Sequence, residues 1–211
     1  KENNMQILKY TFSLALCLLL VACADKPINC LEVTDQQTEG SFCLSDAVVV
    51  YDSADGKTVA RIASLFADDI KRVTGKETEP RTSVEGKRVV VLGTLRDNAF
   101  IRDMVAAGKL DVAQIENGWE QFVIRQVPNP VEGVDEALVI AATDRRGVAY
   151  GTFSISEKMG VSPFYWWTDV PVSKKENVYV KADYVSAAPS IRYRGIFLND
   201  EDWGLKPWAT N

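Results

Sequence analysis

The 211 residues contain no histidine. That absence excludes Ser-His-Asp and Cys-His nucleophile systems, and ordinary histidine-bearing zinc sites, within this stretch, so acid–base chemistry falls mainly to carboxylates. Phosphate-cradling glycine motifs are missing as well. Neither G-x-x-x-x-G-K-[ST] nor G-x-G-x-x-G occurs, and Gly75-Lys76 is followed by Glu77, which has no hydroxyl to offer a magnesium ion. Positive charge is nowhere concentrated. With a net charge of −5 and no basic run, the chain carries no electrostatic footprint for nucleic acid, and no nucleic-acid partner is expected. What is present is globular composition, 46% hydrophobic and 25% charged, enough to bury a core.

The longest apolar run, Tyr10 to Ala22, follows Met5 and Lys9 and ends at Cys23. Its thirteen residues fall short of the ~20 a spanning helix needs, whereas a positive residue, a short apolar core and a small-residue exit describe a secretory signal. Met5 is the expected initiator, since Lys1 is not Met. The exit Leu20-Val21-Ala22-Cys23 resembles a bacterial lipobox, which implies that Cys23 is diacylated, that residues 1–23 are a lipoprotein signal, and that the partner at this end is a membrane reached through the lipid. The expected location is the bacterial cell envelope, at the outer membrane or in the periplasm. Cys30 and Cys43 are then the remaining mature thiols, and two readings stay open for them: a disulfide, or two isolated thiols.

Residues 24–46 read as a tether and entry segment, polar and aperiodic up to Gln37. Residues 47–185 read as one α/β unit, a mixed β-sheet with three helices on it. Ala47 to Tyr51 is a β-branched strand closed by the turn Asp52-Ser53-Ala54-Asp55-Gly56. Val59, Ile62, Phe66, Ile70 and Val73 recur at helical spacing, and Gly75 suits the left-handed stop. Arg88 to Gly93 is a second buried strand; Asp97 is the expected cap of a helix that ends at Gly108. Glu120–Val127 and Ala137–Thr143 predict an antiparallel hairpin across Pro128-Asn129-Pro130 and Gly133. A third helix follows Asp144, with Val148, Ile155 and Met159 on one face and Gly160 at its end, and Asn177–Val180 offers one more strand.

A seam of small residues, Ser186-Ala187-Ala188-Pro189-Ser190, opens the last segment, 186–211. Ile191 to Leu198 has the pattern of a strand, and its carboxyl end runs into Asn199-Asp200-Glu201-Asp202, as the first strand of a (β/α)8 barrel does where its loop faces an active site. The other reading of those acids is a solvated surface loop.

The run Arg194-Gly195-Ile196-Phe197-Leu198-Asn199-Asp200-Glu201-Asp202-Trp203-Gly204-Leu205, continued by Lys206-Pro207-Trp208-Ala209, resembles the segment that opens the barrel of glycoside hydrolase family 115. Upstream, Asp144-Arg145-Arg146-Gly147-Val148-Ala149-Tyr150-Gly151, with Glu157-Lys158-Met159-Gly160 and Trp166-Trp167, is similar to the closing helix of the α/β domain that precedes the barrel there. Comparable domains precede the barrels of hexosaminidases and of other α-glucuronidases.

The resemblance implies a hexosaminidase/α-glucuronidase-type N-terminal domain followed by the start of a truncated barrel. The implied enzyme removes 4-O-methylglucuronic acid from glucuronoxylan by inversion, needs no organic cofactor, and draws its main acid and base from beyond Asn211. Carried over residue by residue, Asn199, Asp200 and Asp202 are the expected pocket residues, with Trp203 as a stacking surface or core aromatic and Glu157 projecting from the α/β domain toward the barrel mouth. Arg194 either meets a uronate or, as the structural reading has it, holds Asp200 or Asp202. This stretch alone is expected to be inactive, and its oligomeric state is left open. Two further readings stand beside this one: a glycosidase of hexosaminidase-like specificity, and a non-catalytic surface lipoprotein binding glycans through Trp166, Trp167 and Trp203.

Overall fold

The computed structural model describes residues 29–165, 169–197 and 206–207. Along the chain run β1 (Cys30–Thr34), β2 (Phe42–Cys43), β3 (Val48–Val50), α1 (Lys57–Thr74), β4 (Arg88–Thr94), α2 (Ala99–Ala106), β5 (Phe122–Pro128), β6 (Glu136–Ala142), α3 (Arg145–Met159) and β7 (Tyr179–Val185). The strands form one mixed sheet in the order β1-β7-β5-β6-β4-β3, with β2 also pairing to β7. β3, β4 and β6 are parallel, and β5 runs antiparallel to both β6 and β7.

β4 shows why this sheet must be covered twice. Alternate residues of a strand point to opposite faces, and the Val89-Val90-Val91-Leu92 run is apolar on both. Val90 and Leu92 join α1 and α3 residues such as Phe66, Ile70, Val148 and Ile155, while Val89 and Val91 pack on the other face with Ile101, Met104, Leu110 and Ile115. Two helices therefore cover one face, and α2 with the loop after it covers the other.

Local expectations hold where one element decides them. The five apolar α1 positions are buried, and Gly75 closes the helix at φ +75° with its N–H on the Lys71 carbonyl. The β5–β6 hairpin is antiparallel, with Ile124 opposite Ile140.

Four expectations are corrected. Residues 24–37 are not all tether, because Cys30–Thr34 adds to the sheet edge beside β7. Only Leu31 and Val33 turn toward the core there, and an edge strand with its outer side in water looks polar in sequence. Asn98, not Asp97, caps α2, its side chain accepting the Ile101 N–H at 3.1 Å, while Asp97 pairs outward with Arg96. The last strand begins at Tyr179 and extends to Val185. Residues 191–197 adopt no strand: a ladder needs a hydrogen-bonded neighbour, and none of the described residues supplies one.

Cys30 and Cys43 are free. Val180 pairs with Val33 of β1 and with Phe42 of β2, so these strands lie on opposite sides of β7. Cys30 is level with Asp183 and Cys43 with Tyr179. Two strand spacings and four residues separate them, about 10 Å across and about 13 Å along, well beyond the ~7 Å limit between Cα atoms of a disulfide.

Candidate functional site

The described residues of the final segment meet the sheet at the carboxyl end of β6 and the start of α3. Asp144 caps α3, one oxygen accepting the backbone N–H groups of Arg146 at 3.0 Å and Gly147 at 2.9 Å. Its other oxygen accepts the N–H of Glu120 at 2.7 Å. Glu120 sits in left-handed backbone at φ +52°, uncommon for a residue with a side chain, and its carboxylate is 7% exposed. One Glu120 oxygen takes Arg146 at 2.9 Å, and the other takes Arg194. Arg194 also donates to the Tyr150 hydroxyl at 3.0 Å and to the Ile191 carbonyl at 2.6 Å. Its guanidinium carbon lies 5.7 Å from the centre of the Trp119 ring and 5.8 Å from that of Tyr150, within cation–π range.

This gives the Asp144–Gly151 motif a physical reading. Asp144 is the cap, Arg146 neutralises Glu120, and Tyr150 reaches the incoming segment. The glycines let α3 approach the sheet: a Cβ on Gly147 would stand 2.7 Å from the Gln121 carbonyl oxygen, and one on Gly151 would stand 2.8 Å from Ile140 Cγ2.

A groove of about 510 Å³ runs between α1 and α3, lined among others by Asp69, Arg72, Tyr150, Phe153, Glu157 and Tyr165. Glu157 is exposed at its rim, two helical turns or about 10 Å beyond Tyr150 on the same face of α3. Asp69 is buried and pairs with Arg72 at 2.7 Å; burial pushes its carboxyl up, against the pull of Ser156 and Arg72.

At the carboxyl ends of the parallel strands, where open α/β sheets hold ligands, Asp55 is fully buried. It accepts Thr94 N–H at 3.0 Å, the Thr94 hydroxyl at 2.5 Å and Asn98 Nδ2 at 3.1 Å. These donors tie β4 to the start of α2, so its role is structural. Among the described residues no group of three or more Cys, Asp or Glu side chains is placed to hold a metal ion.

Of the residues singled out by sequence, Glu157 lies on the groove, whereas Asn199, Asp200, Asp202, Trp203 and Cys23, like Trp166 and Trp167, lie outside the described residues. Arg194 has a structural role through Glu120, while its expected partners Asp200 and Asp202 lie outside the described residues. Glu120 and Trp119 carry no sequence signal of this role, since a contact across 74 residues leaves no periodicity.

The family model described as "Glycosyl hydrolase family 115" matches residues 186–211, the segment Arg194 anchors. Over 81% of this chain, the fold matches a solved family GH115 4-O-methyl-α-glucuronidase with specificity for decorated arabinogalactans, at 30% identity and a TM-score of 0.63. The chain spans about a fifth, 21%, of that structure's length. Weaker likenesses reach a structure named CpGH84D, at 10% identity over 72% of this chain and 22% of that one with a TM-score of 0.45. A mutant Streptomyces plicatus β-hexosaminidase in complex with its product GlcNAc matches at 10% identity over 79% of this chain and 26% of that one, with a TM-score of 0.42. No curated protein sequence matches the chain. The match at 186–211 and the shared fold of the sheet domain before it make this chain a relative of glycoside hydrolase family 115.

Proposed function

We propose that this chain is the N-terminal part of an exported, lipid-anchored glycoside hydrolase that removes (4-O-methyl)glucuronic acid side groups from glucuronoxylan by inversion. The observation that carries the proposal is the 30% identity, over 81% of the chain, to a 4-O-methyl-α-glucuronidase. That relative's specificity for decorated arabinogalactans makes those polysaccharides the second substrate to test. In this reading residues 191–198 become a barrel strand only when neighbours from the rest of the enzyme supply the ladder that the described residues lack. The exposure of Tyr193, Ile196 and Phe197, at 84%, 81% and 93%, supports it, because apolar side chains in such a run need a covering surface.

Inversion needs an acid that protonates the leaving-group oxygen and, roughly 6.5–9.5 Å away on the opposite face of the sugar, a base that activates a water to attack the anomeric carbon. Asn199, Asp200 and Asp202, with Trp203 and more remotely Glu157, are proposed to line the pocket, while the principal acid and base belong to later barrel strands. No organic cofactor takes part.

The test is to incubate the full-length enzyme with glucuronoxylan and with decorated arabinogalactan and to follow the released uronate by NMR. Release of 4-O-methylglucuronate, first seen as the β-anomer, is the expected result. Release of N-acetylhexosamine from a suitable substrate instead would favour the hexosaminidase-like reading. Cys23 lipidation is read separately, from the mass of the mature N-terminus.

A further inference from the structure

Glu120 is over-equipped for the domain it belongs to. Its backbone is held in left-handed geometry by Asp144 on its own N–H and by the Thr143 hydroxyl on the next residue's N–H at 3.1 Å. Left-handed backbone outside glycine persists where its surroundings over-determine it. The result is a carboxylate presented at one defined place. Arg146, from α3 of the same domain, already neutralises that charge at 2.9 Å. A second guanidinium is redundant for charge balance, yet the second oxygen is given to Arg194, which arrives on the final segment. The seat around Arg194 is also shaped for it, with the Tyr150 hydroxyl as a further acceptor and the Trp119 and Tyr150 rings beside its plane. Guanidinium is the side-chain head for which a fork, an acceptor and aromatic faces can act together.

We propose that Glu120, with Tyr150 and Trp119, is a receptor for Arg194 that sets the position of the segment after it, so that Glu120 and Arg194 are positioning residues for the acidic cluster five to eight residues on. Arg194 also ties back to Ile191, which makes the turn before Gly195 a closed unit. The α/β domain thereby contributes a fixed origin at Arg194, five residues before Asn199 in sequence. The ordering of the segment stands on its own geometry; its catalytic consequence rests on the glycosidase reading above.

The experiment uses the full-length enzyme and two readouts. Hydrogen–deuterium exchange is followed in peptides covering 191–203, and steady-state kinetics on methylglucuronoxylan in parallel, for Arg194→Gln, Arg194→Lys, Glu120→Gln and the Glu120→Gln/Arg194→Gln double variant. Exchange in the segment is expected to rise about tenfold in each single Gln variant and no further in the double, the non-additivity of two residues in one contact. The kcat value is expected to fall about tenfold to a hundredfold with KM nearly unchanged, as misplaced catalytic groups produce. Lysine, which restores the charge without the fork, recovers part of both effects. Lys76→Gln, which breaks the exposed pair with Asp46, is the control and leaves both readouts at wild-type level. Wild-type exchange in Arg194→Gln, or additive effects in the double variant, would overturn the receptor. Raised exchange with an unchanged kcat would overturn the positioning role, whereas a wild-type enzyme inactive on every glycan would sink the glycosidase reading and leave exchange to decide the receptor.

Discussion

The carboxylate of Asp144 holds the backbone N–H of Glu120 at 2.7 Å while its other oxygen caps α3. One side chain thus connects the hairpin that carries Glu120 to the helix that carries Arg146 and Tyr150. Asp144→Ala removes a cap and leaves a part-buried N–H without its acceptor, a loss of about 1–3 kcal/mol. Asp144→Asn keeps the cap through one oxygen but turns a donor toward Glu120, so its midpoint in urea unfolding is expected between wild type and Ala. Equal midpoints for Asn and wild type would show that the Glu120 contact contributes nothing.

Gly93 and Gly151 are both constrained by space. A Cβ at Gly93 would lie 2.3 Å from Asn98 Nδ2 and 2.4 Å from Asp55 Oδ2, inside the network that joins β4 to α2. At Gly151 it would lie 2.8 Å from Ile140 Cγ2 and 2.9 Å from Phe122 Cδ2, between α3 and the sheet. Gly93→Ala and Gly151→Ala are each expected to cost about 1–3 kcal/mol, measured as chemical unfolding. Gly133→Ala meets no atom within 4 Å and incurs only the strain of a side chain in left-handed backbone at φ +84°, so it is expected to cost less than either.

Asp55 gives stability a specific pH dependence. Burial pushes its carboxyl above the ordinary value of 3.8, against hydrogen bonds from Thr94 and Asn98 that pull the other way. The folded state therefore holds the proton more tightly than the unfolded chain. Its contribution is most favourable below 3.8, falls as pH rises from there through the raised folded value, and above that value carries the full cost of a buried charge. Wild type should lose stability relative to Asp55→Asn across that window, with the difference flat above it. A wild type that gains on the variant as pH rises would contradict the burial argument.

In the full-length enzyme, Asp200 and Asp202 are two residues apart and share a side if the extended pattern of 191–198 continues, with Glu201 facing away. Asp200→Ala or Asp202→Ala is expected to lower kcat/KM at least ~100-fold, the scale of losing a positioned acid, base or orienting group. Glu201→Ala should cost much less. Near-wild-type kinetics in both Asp variants, with melting curves showing folded protein, would return the cluster to a solvated loop.

What the sequence by itself determined is local. The 3-and-4 spacing from Val59 to Val73 with Gly75 behind it, the β-branched run of β4 and the Pro-Asn-Pro turn between β5 and β6 each encode burial or chain reversal within one element, and each appears in the structure. The acid-tipped run after Arg194 also pointed by itself to the family that the comparisons support. Tertiary structure alone decided the rest. Cys30–Thr34 became a strand because β7 offered it an edge, and Cys30 and Cys43 were parted because that same strand lies between them. α2 crossed to the second face because β4 is apolar on both. Arg194 found Glu120, 74 residues away in sequence, because Asp144 fixes the Glu120 backbone where the final segment passes. Periodicity records which way a side chain points from its own element; which distant groups it meets depends on how the elements pack, and that information is spread over the whole chain.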